Sequence, residues 1–158
     1  MEKQRDVGGG GDDPGSVSGD RKTILICDDQ KDVVNACYIS LRNKYFVLKA
    51  WSGRDCISIY SSYASRGAKI DLVLLDYKLG DMTGEDVARE IASIALTNII
   101  LITAYDLDDN MIQSLLRNNL ISAQLKKPFS LEELQAKVSL VLSQGTGTGA
   151  SGDSSRIE

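Results

Sequence analysis

Histidine is missing from the 158-residue chain. Its absence removes imidazole acid–base catalysis, histidine metal ligation and any role as a phosphohistidine donor. Cysteine is scarce and unpatterned: Cys27, Cys37 and Cys56 are odd in number and form no C-x-x-C. They define neither a disulfide framework nor a zinc knuckle, and are expected to be buried thiols in a reducing compartment. Positive charge is in deficit, with a formal net charge of -4 and an isoelectric point near 4.9. No basic field spreads over such a surface, which argues against nucleic acid or an anionic membrane as a direct partner. No positively charged start leads into an apolar segment, and no apolar run approaches the roughly 18 residues a membrane span needs. The expectation is a cytoplasmic protein whose chemistry comes from carboxylates, hydroxyls and lysines.

What is present suits one compact domain, since 42% of the residues are hydrophobic. Residues 1–22, with the Gly8–Gly11 run and then Asp12-Asp13-Pro14-Gly15-Ser16, lack apolar periodicity and read as a flexible arm. Residues 145–158 have the composition of a flexible tail, which leaves 23–144 as the folded unit. Within it Thr23–Cys27, Leu72–Leu75 and Ile99–Ile102 are continuously apolar, as strands covered on both faces should be. Phe46–Ala50 and Ser122–Leu125 are shorter or more polar and suit the sheet edges.

Helical spacing separates these runs: Val33, Val34, Cys37, Tyr38 and Leu41; Cys56, Ile59, Tyr60 and Tyr63; Val87, Ile91 and Ile94; Met111, Ile112, Leu115 and Leu116; and Leu134, Val138, Val141 and Leu142. Ser52 with Asp55, Thr83 with Asp86 and Ser130 with Glu133 each place a hydroxyl cap ahead of an acidic residue for the free amides of a first turn. Five strand–helix alternations predict an α/β fold, a doubly wound five-stranded parallel sheet with helices on both faces.

Such sheets gather function at the carboxyl ends of their strands. There the first predicted strand ends in Asp28-Asp29, the third in Asp76, the fourth in Thr103 and the fifth in Lys126-Lys127-Pro128. Taken singly each has a plainer reading: Asp28 and Asp29 as turn residues ahead of a helix, Asp76 as a loop cap, Thr103 as partner to a strand-end amide, Lys127 as a solvated charge. Together they would crowd three carboxylates on one rim, which raises their pKa values unless a cation compensates. Carboxylates with a backbone carbonyl and waters are the donor set Mg²⁺ prefers, and Lys127 and Thr103 could then meet phosphoryl oxygens.

This ordered set, DD, D, T and KP at successive strand ends, resembles the response-regulator receiver family of two-component signalling over about 23–144. The block Leu75–Gly84 is similar to the family's acceptor loop, with a glycine eight residues after the aspartate. The resemblance implies a flavodoxin-like (βα)5 fold with strand order 2-1-3-4-5, of the single-domain chemotaxis type. It implies Asp76 as phospho-acceptor, Asp29 as a direct Mg²⁺ ligand, Asp28 as a ligand acting largely through water, and the Lys78 carbonyl completing the protein's share of the metal shell. Lys127 would pair with the phosphoryl group, Thr103 would move toward it, and the Lys127-Pro128 bond would be cis.

On this reading the donor is a sensor histidine kinase or phosphotransfer protein and the altered surface is read by a downstream effector. A homodimer is common in the family; with no recognisable output domain after residue 144, a stand-alone receiver, a relay intermediate and a receiver cut from a longer protein all stay open. The chain would catalyse only its own phosphorylation and dephosphorylation.

Two positions depart from the commonest family pattern. Gly80 stands where proline is frequent and is expected to loosen the acceptor loop; Gln124 stands where an aromatic usually reports activation. Without that aromatic the signal is expected to pass through the backbone after Thr103 or through Tyr105. Lys78 and Tyr105, at the variable positions that govern access of water, are expected to prolong the phosphate's lifetime. Two other functions remain open: a phosphorylation-independent interaction module on the same fold, and a phosphohydrolase, whose D-x-D-x-T pattern Asp28-Asp29-Gln30-Lys31-Asp32 does not match.

Overall fold

A computed structural model describes residues 21–104 and 107–144. The arm, except Arg21 and Lys22, the tail and Tyr105 lie outside the described residues. Strands β1 (Thr23–Cys27), β2 (Phe46–Ala50), β3 (Leu72–Asp76), β4 (Asn98–Thr103) and β5 (Ala123–Lys126) alternate with α1 (Lys31–Leu41), α2 (Gly53–Ser65), α3 (Gly84–Ile94), α4 (Asp109–Arg117) and α5 (Leu131–Ser143). The sheet is parallel throughout, in the order β2-β1-β3-β4-β5. The two strands expected at the edges are there, and β5 is shifted one residue from the predicted run.

The apolar runs form strands because both faces of the three inner strands are covered. Leu25, Val73, Leu75, Ile99 and Leu101 pack with Cys56, Tyr60, Val87, Ile91, Ile112 and Leu115 of α2, α3 and α4. Ile24, Ile26, Leu72, Leu74, Ile100 and Ile102 point the other way, against Val34, Cys37 and Leu41 of α1 and Leu134, Val138 and Val141 of α5. Each fully buried aliphatic side chain contributes about 1.5–3 kcal/mol, so these two layers dominate the stability. All three cysteines are buried and free. Ile94 lies on the predicted stripe of α3 but stays 38% exposed, because it is the last residue of the helix.

The caps act as their spacing suggests, with one difference. Thr83 and Asp86, and Ser130 and Glu133, form reciprocal capping boxes. Ser52 accepts from the Asp55 amide, whereas the Asp55 carboxylate accepts from the Trp51 amide, one residue before the cap. The start of α4 uses Asp108, whose carboxylate accepts from Asn110 N–H. Among the described residues no helix is long and apolar enough to cross a membrane.

Candidate functional site

The strand order reverses direction between β1 and β3, the place where open α/β sheets form a crevice. Four of the sequence-predicted residues, Asp29, Asp76, Lys78 and Lys127, line a cleft there of about 750 Å³, together with Gly80 and Asp81 among others. Asp28, 1% exposed, lies beneath it. Its backbone N–H donates to Ala50 O at 3.2 Å and its Oδ1 accepts from Gln30 N–H at 2.9 Å, so the turn into α1 fixes the carboxylate. The helix-favouring role of Asp28 is therefore real, and it coexists with its place in the site: Gln30, the N-cap of α1, makes no side-chain cap of its own.

Asp76 is 6% exposed and its Oδ2 accepts from the Lys78 N–H at 3.1 Å. Lys127 comes from the far side, through a cis Lys127-Pro128 bond. Its Nζ lies 2.9 Å from Asp76 Oδ1 and 3.5 Å from Asp28 Oδ2. One carboxylate oxygen from each of Asp28, Asp29 and Asp76 fits within a sphere of contacts no wider than 4.8 Å.

Burial raises the pKa of Asp76, and its hydrogen bond to Lys127 only partly restrains that rise. Asp28 is raised for the same reason, against the pull of Gln30 N–H and Lys127. Burial alone would lower Lys127, but the hydrogen bond to Asp76 and the two carboxylate charges outweigh it and raise its pKa. The cluster holds more negative charge than one ammonium can balance. Two buried carboxylates and an exposed one, all hard oxygen donors, suit a divalent cation.

The loop from β3 to α3 is held in place by two glycines and a carboxylate. A Cβ on Gly84 would lie 2.8 Å from Asp76 O and 2.8 Å from Leu101 Cδ1. This explains a glycine eight residues after the aspartate: α3 starts against the backbone of Asp76. Gly80 has φ +85°, which proline, fixed near −65°, does not adopt. Beyond the expected flexibility, the glycine meets a conformational requirement of the loop. Asp81 Oδ1 and Oδ2 accept from the Gly53 and Arg54 amides at 2.9 and 3.0 Å, which ties the loop to the start of α2. Those amides lower the Asp81 pKa.

Thr103 is brought to the rim but not into the cleft. It is 1% exposed, and its Oγ1 accepts from Gln124 Nε2 at 2.9 Å. Sequence reasoning placed neither this bond nor the Asp81 clamp, whose partners are 21 and about 28 residues apart. No local spacing signals either pair. Tyr77, next to Asp76, reaches α4 through a 3.9 Å contact from its hydroxyl to Met111 Sδ.

A parallel (βα)5 sheet carrying an acidic pocket and a lysine at its switch point defines a class of signalling domain. The sequence of residues 24–139 matches the model of the response regulator receiver domain, and the chain belongs to that family, the receivers of two-component systems. It is 32% identical over 137 residues to the phosphate regulon transcriptional regulatory protein PhoB of Pseudomonas aeruginosa, covering 82% of this chain and 55% of that protein. It is 28% identical over 123 residues to the response regulator SaeR of Staphylococcus aureus, covering 77% of this chain and 50% of SaeR. The chain thus spans about half the length of the curated relatives it matches.

Among solved structures it is similar to a CheY-like receiver domain protein from Methanospirillum hungatei, with a TM-score of 0.68, 25% identity, and 78% and 94% of the two chains covered. It is also similar to a two-component response regulator from Clostridium difficile, with a TM-score of 0.67, 26% identity, and 82% and 100% covered. Receivers of this family interact with histidine kinases and effectors.

Proposed function

We propose that this receiver is a phosphorylation switch that accepts a phosphoryl group on Asp76 in a Mg²⁺-dependent reaction, from a histidine kinase or phosphotransfer protein. The observation that carries this reading is the pairing of the buried Asp76 carboxylate with Lys127 Nζ at 2.9 Å, at the edge of an open cleft that two further carboxylates share. Asp28, Asp29 and Asp76, with the carbonyl of Lys78, would hold Mg²⁺, which when bound neutralises the carboxylates and a phosphoryl oxygen.

An Asp76 oxygen attacks the phosphorus of the donor's phosphohistidine in line. The O–P bond forms, the P–N bond breaks, and the donor imidazole leaves with the electron pair. Lys127 follows the charge from the carboxylate to the phosphoryl oxygens, and the Thr103 hydroxyl supplies a neutral donor to a second oxygen. Asp28, held by Gln30 N–H, keeps Lys127 in the site while Asp76 is being modified.

The chain has no turnover of an external substrate on this reading; it catalyses only its own phosphorylation and dephosphorylation. A downstream effector protein reads the phosphorylated surface. Lys78, at the cleft wall, shields the acyl phosphate from water; the share expected of Tyr105 falls outside the described residues.

Intact mass after incubation with Mg²⁺ and a small acyl phosphate tests the reading. One added phosphate is expected in the wild type, and none in Asp76→Asn or with the metal chelated. No added phosphate, with candidate kinases also supplied, would refute it and favour an interaction module that works without phosphate.

A further inference from the structure

We propose that Gln124 is a positioning residue for Thr103: its amide holds the Thr103 hydroxyl toward β5, and that bond must break before the hydroxyl can reach a phosphoryl oxygen on Asp76. The inference rests on Asp76 as acceptor and adds a competitor for the group that completes the site.

The sheet sets up the competition. β4 lies between β3 and β5, so Asp76 and Gln124 flank it on opposite sides. Asp76 is opposite Ile102 in one ladder; Leu101 is opposite Gln124 and Thr103 opposite Lys126 in the other. Thr103 and Gln124 are diagonal neighbours on one face of the sheet, a spacing that long side chains bridge. They do so at 2.9 Å from Nε2 to Oγ1.

A threonine hydroxyl sits in one of three staggered wells, and on this proposal the well in which it meets the Gln124 amide differs from the one in which it reaches toward β3. A phenyl ring at position 124 could only pack against Thr103, whereas the Gln124 amide bonds its oxygen directly. Thr103 is almost wholly buried, so water cannot readily replace the amide when the bond breaks. Gln124 therefore biases the domain toward its unphosphorylated state.

The test uses the full chain as wild type, Gln124→Met, Thr103→Val and the double variant. Methionine keeps the length of glutamine and removes the donor. Without metal, three-bond couplings to the Thr103 γ-methyl carbon report its side-chain rotamer, expected to be single in the wild type and averaged in Gln124→Met. With Mg²⁺, titration with beryllofluoride as a phosphoryl mimic is expected to show about three- to tenfold tighter binding by Gln124→Met, the range set by one net hydrogen bond. The same change made in the Thr103→Val background is expected to do nothing.

Identical rotamer populations in wild type and Gln124→Met would overturn the proposal, as would unchanged affinity or an equal gain without the hydroxyl. Failure of the wild type to bind the mimic would instead count against Asp76 as acceptor, and the metal-free couplings would still judge the Gln124 bond.

Discussion

Asp76→Asn should make the metal-free domain more stable. The substitution keeps the side-chain shape and an oxygen that can accept from the Lys78 amide, and removes one charge from a site whose carboxylate oxygens lie within 4.8 Å of one another. At an effective dielectric of about 20, a carboxylate repels another at that separation by about 3.5 kcal/mol, and Lys127 at 2.9 Å attracts Asp76 by about 5.7 kcal/mol. Asp28 is buried and repels in full; Asp29 is exposed, so its share is screened.

Attraction and repulsion thus come close to balance, and the burial of Asp76 decides the sign against the ionised form, in keeping with its raised pKa. Lys127 retains Asp28 as a partner in the variant. The expected gain is about 1 kcal/mol at pH 7.5, the usual scale of a single-site change, or roughly 4 °C in Tm for a domain of this size.

The pH dependence follows from the same shift. Because the folded-state pKa of Asp76 is raised, the native wild type takes up a proton before the unfolded chain does, and its stability deficit disappears as pH falls through that raised value. Urea unfolding of both proteins without Mg²⁺ at pH 7.5, 6 and 5 should show a gap that narrows on acidification. A variant no more stable than the wild type at pH 7.5, or a gap that widens in acid, would refute the reasoning.

Lys127→Met leaves Asp28 and Asp76 buried without their cation and is expected to cost about 2–4 kcal/mol at pH 7.5, with much of the loss recovered when Asp76→Asn is added; urea midpoints of the two single variants and the double variant check this. Gly84→Ala forces a Cβ against Asp76 O and Leu101, so it should destabilise the domain by about 1–3 kcal/mol and slow phosphoryl acceptance together, measured by unfolding and by intact-mass kinetics. Asp81→Ala removes the acceptor of the Gly53 and Arg54 amides, and hydrogen exchange at those two amides should accelerate more than at the rest of α2.

Much of the fold was legible because its signals are local. Continuous apolar runs identify the inner strands, a spacing of three and four identifies the helices, and Ser130 with Glu133 marks the start of α5 within four residues of chain. The candidate site was legible for a related reason. Once strands alternate with helices in a parallel sheet, the residue after each strand must fall on the same rim, so Asp28, Asp76, Thr103 and Lys127 can be placed together without any contact being known. Ile94 shows the limit of periodicity, which gives the direction of a side chain but not whether anything covers the end of the helix.

The sequence by itself determined the order of strands and helices, the five-residue set at the rim and the hydroxyl caps, since each depends on neighbours along the chain. Tertiary structure alone decided that Lys127 bridges Asp76 and Asp28, that Asp81 clamps the start of α2, that Gly80 takes a positive φ, and that the Gln124 amide donates to the Thr103 hydroxyl. The bridge and the two side-chain bonds join residues that meet only after the sheet has brought distant segments together. The glycine's φ is set by the path the loop must follow between the end of β3 and the start of α3, and composition along the chain does not encode such distances.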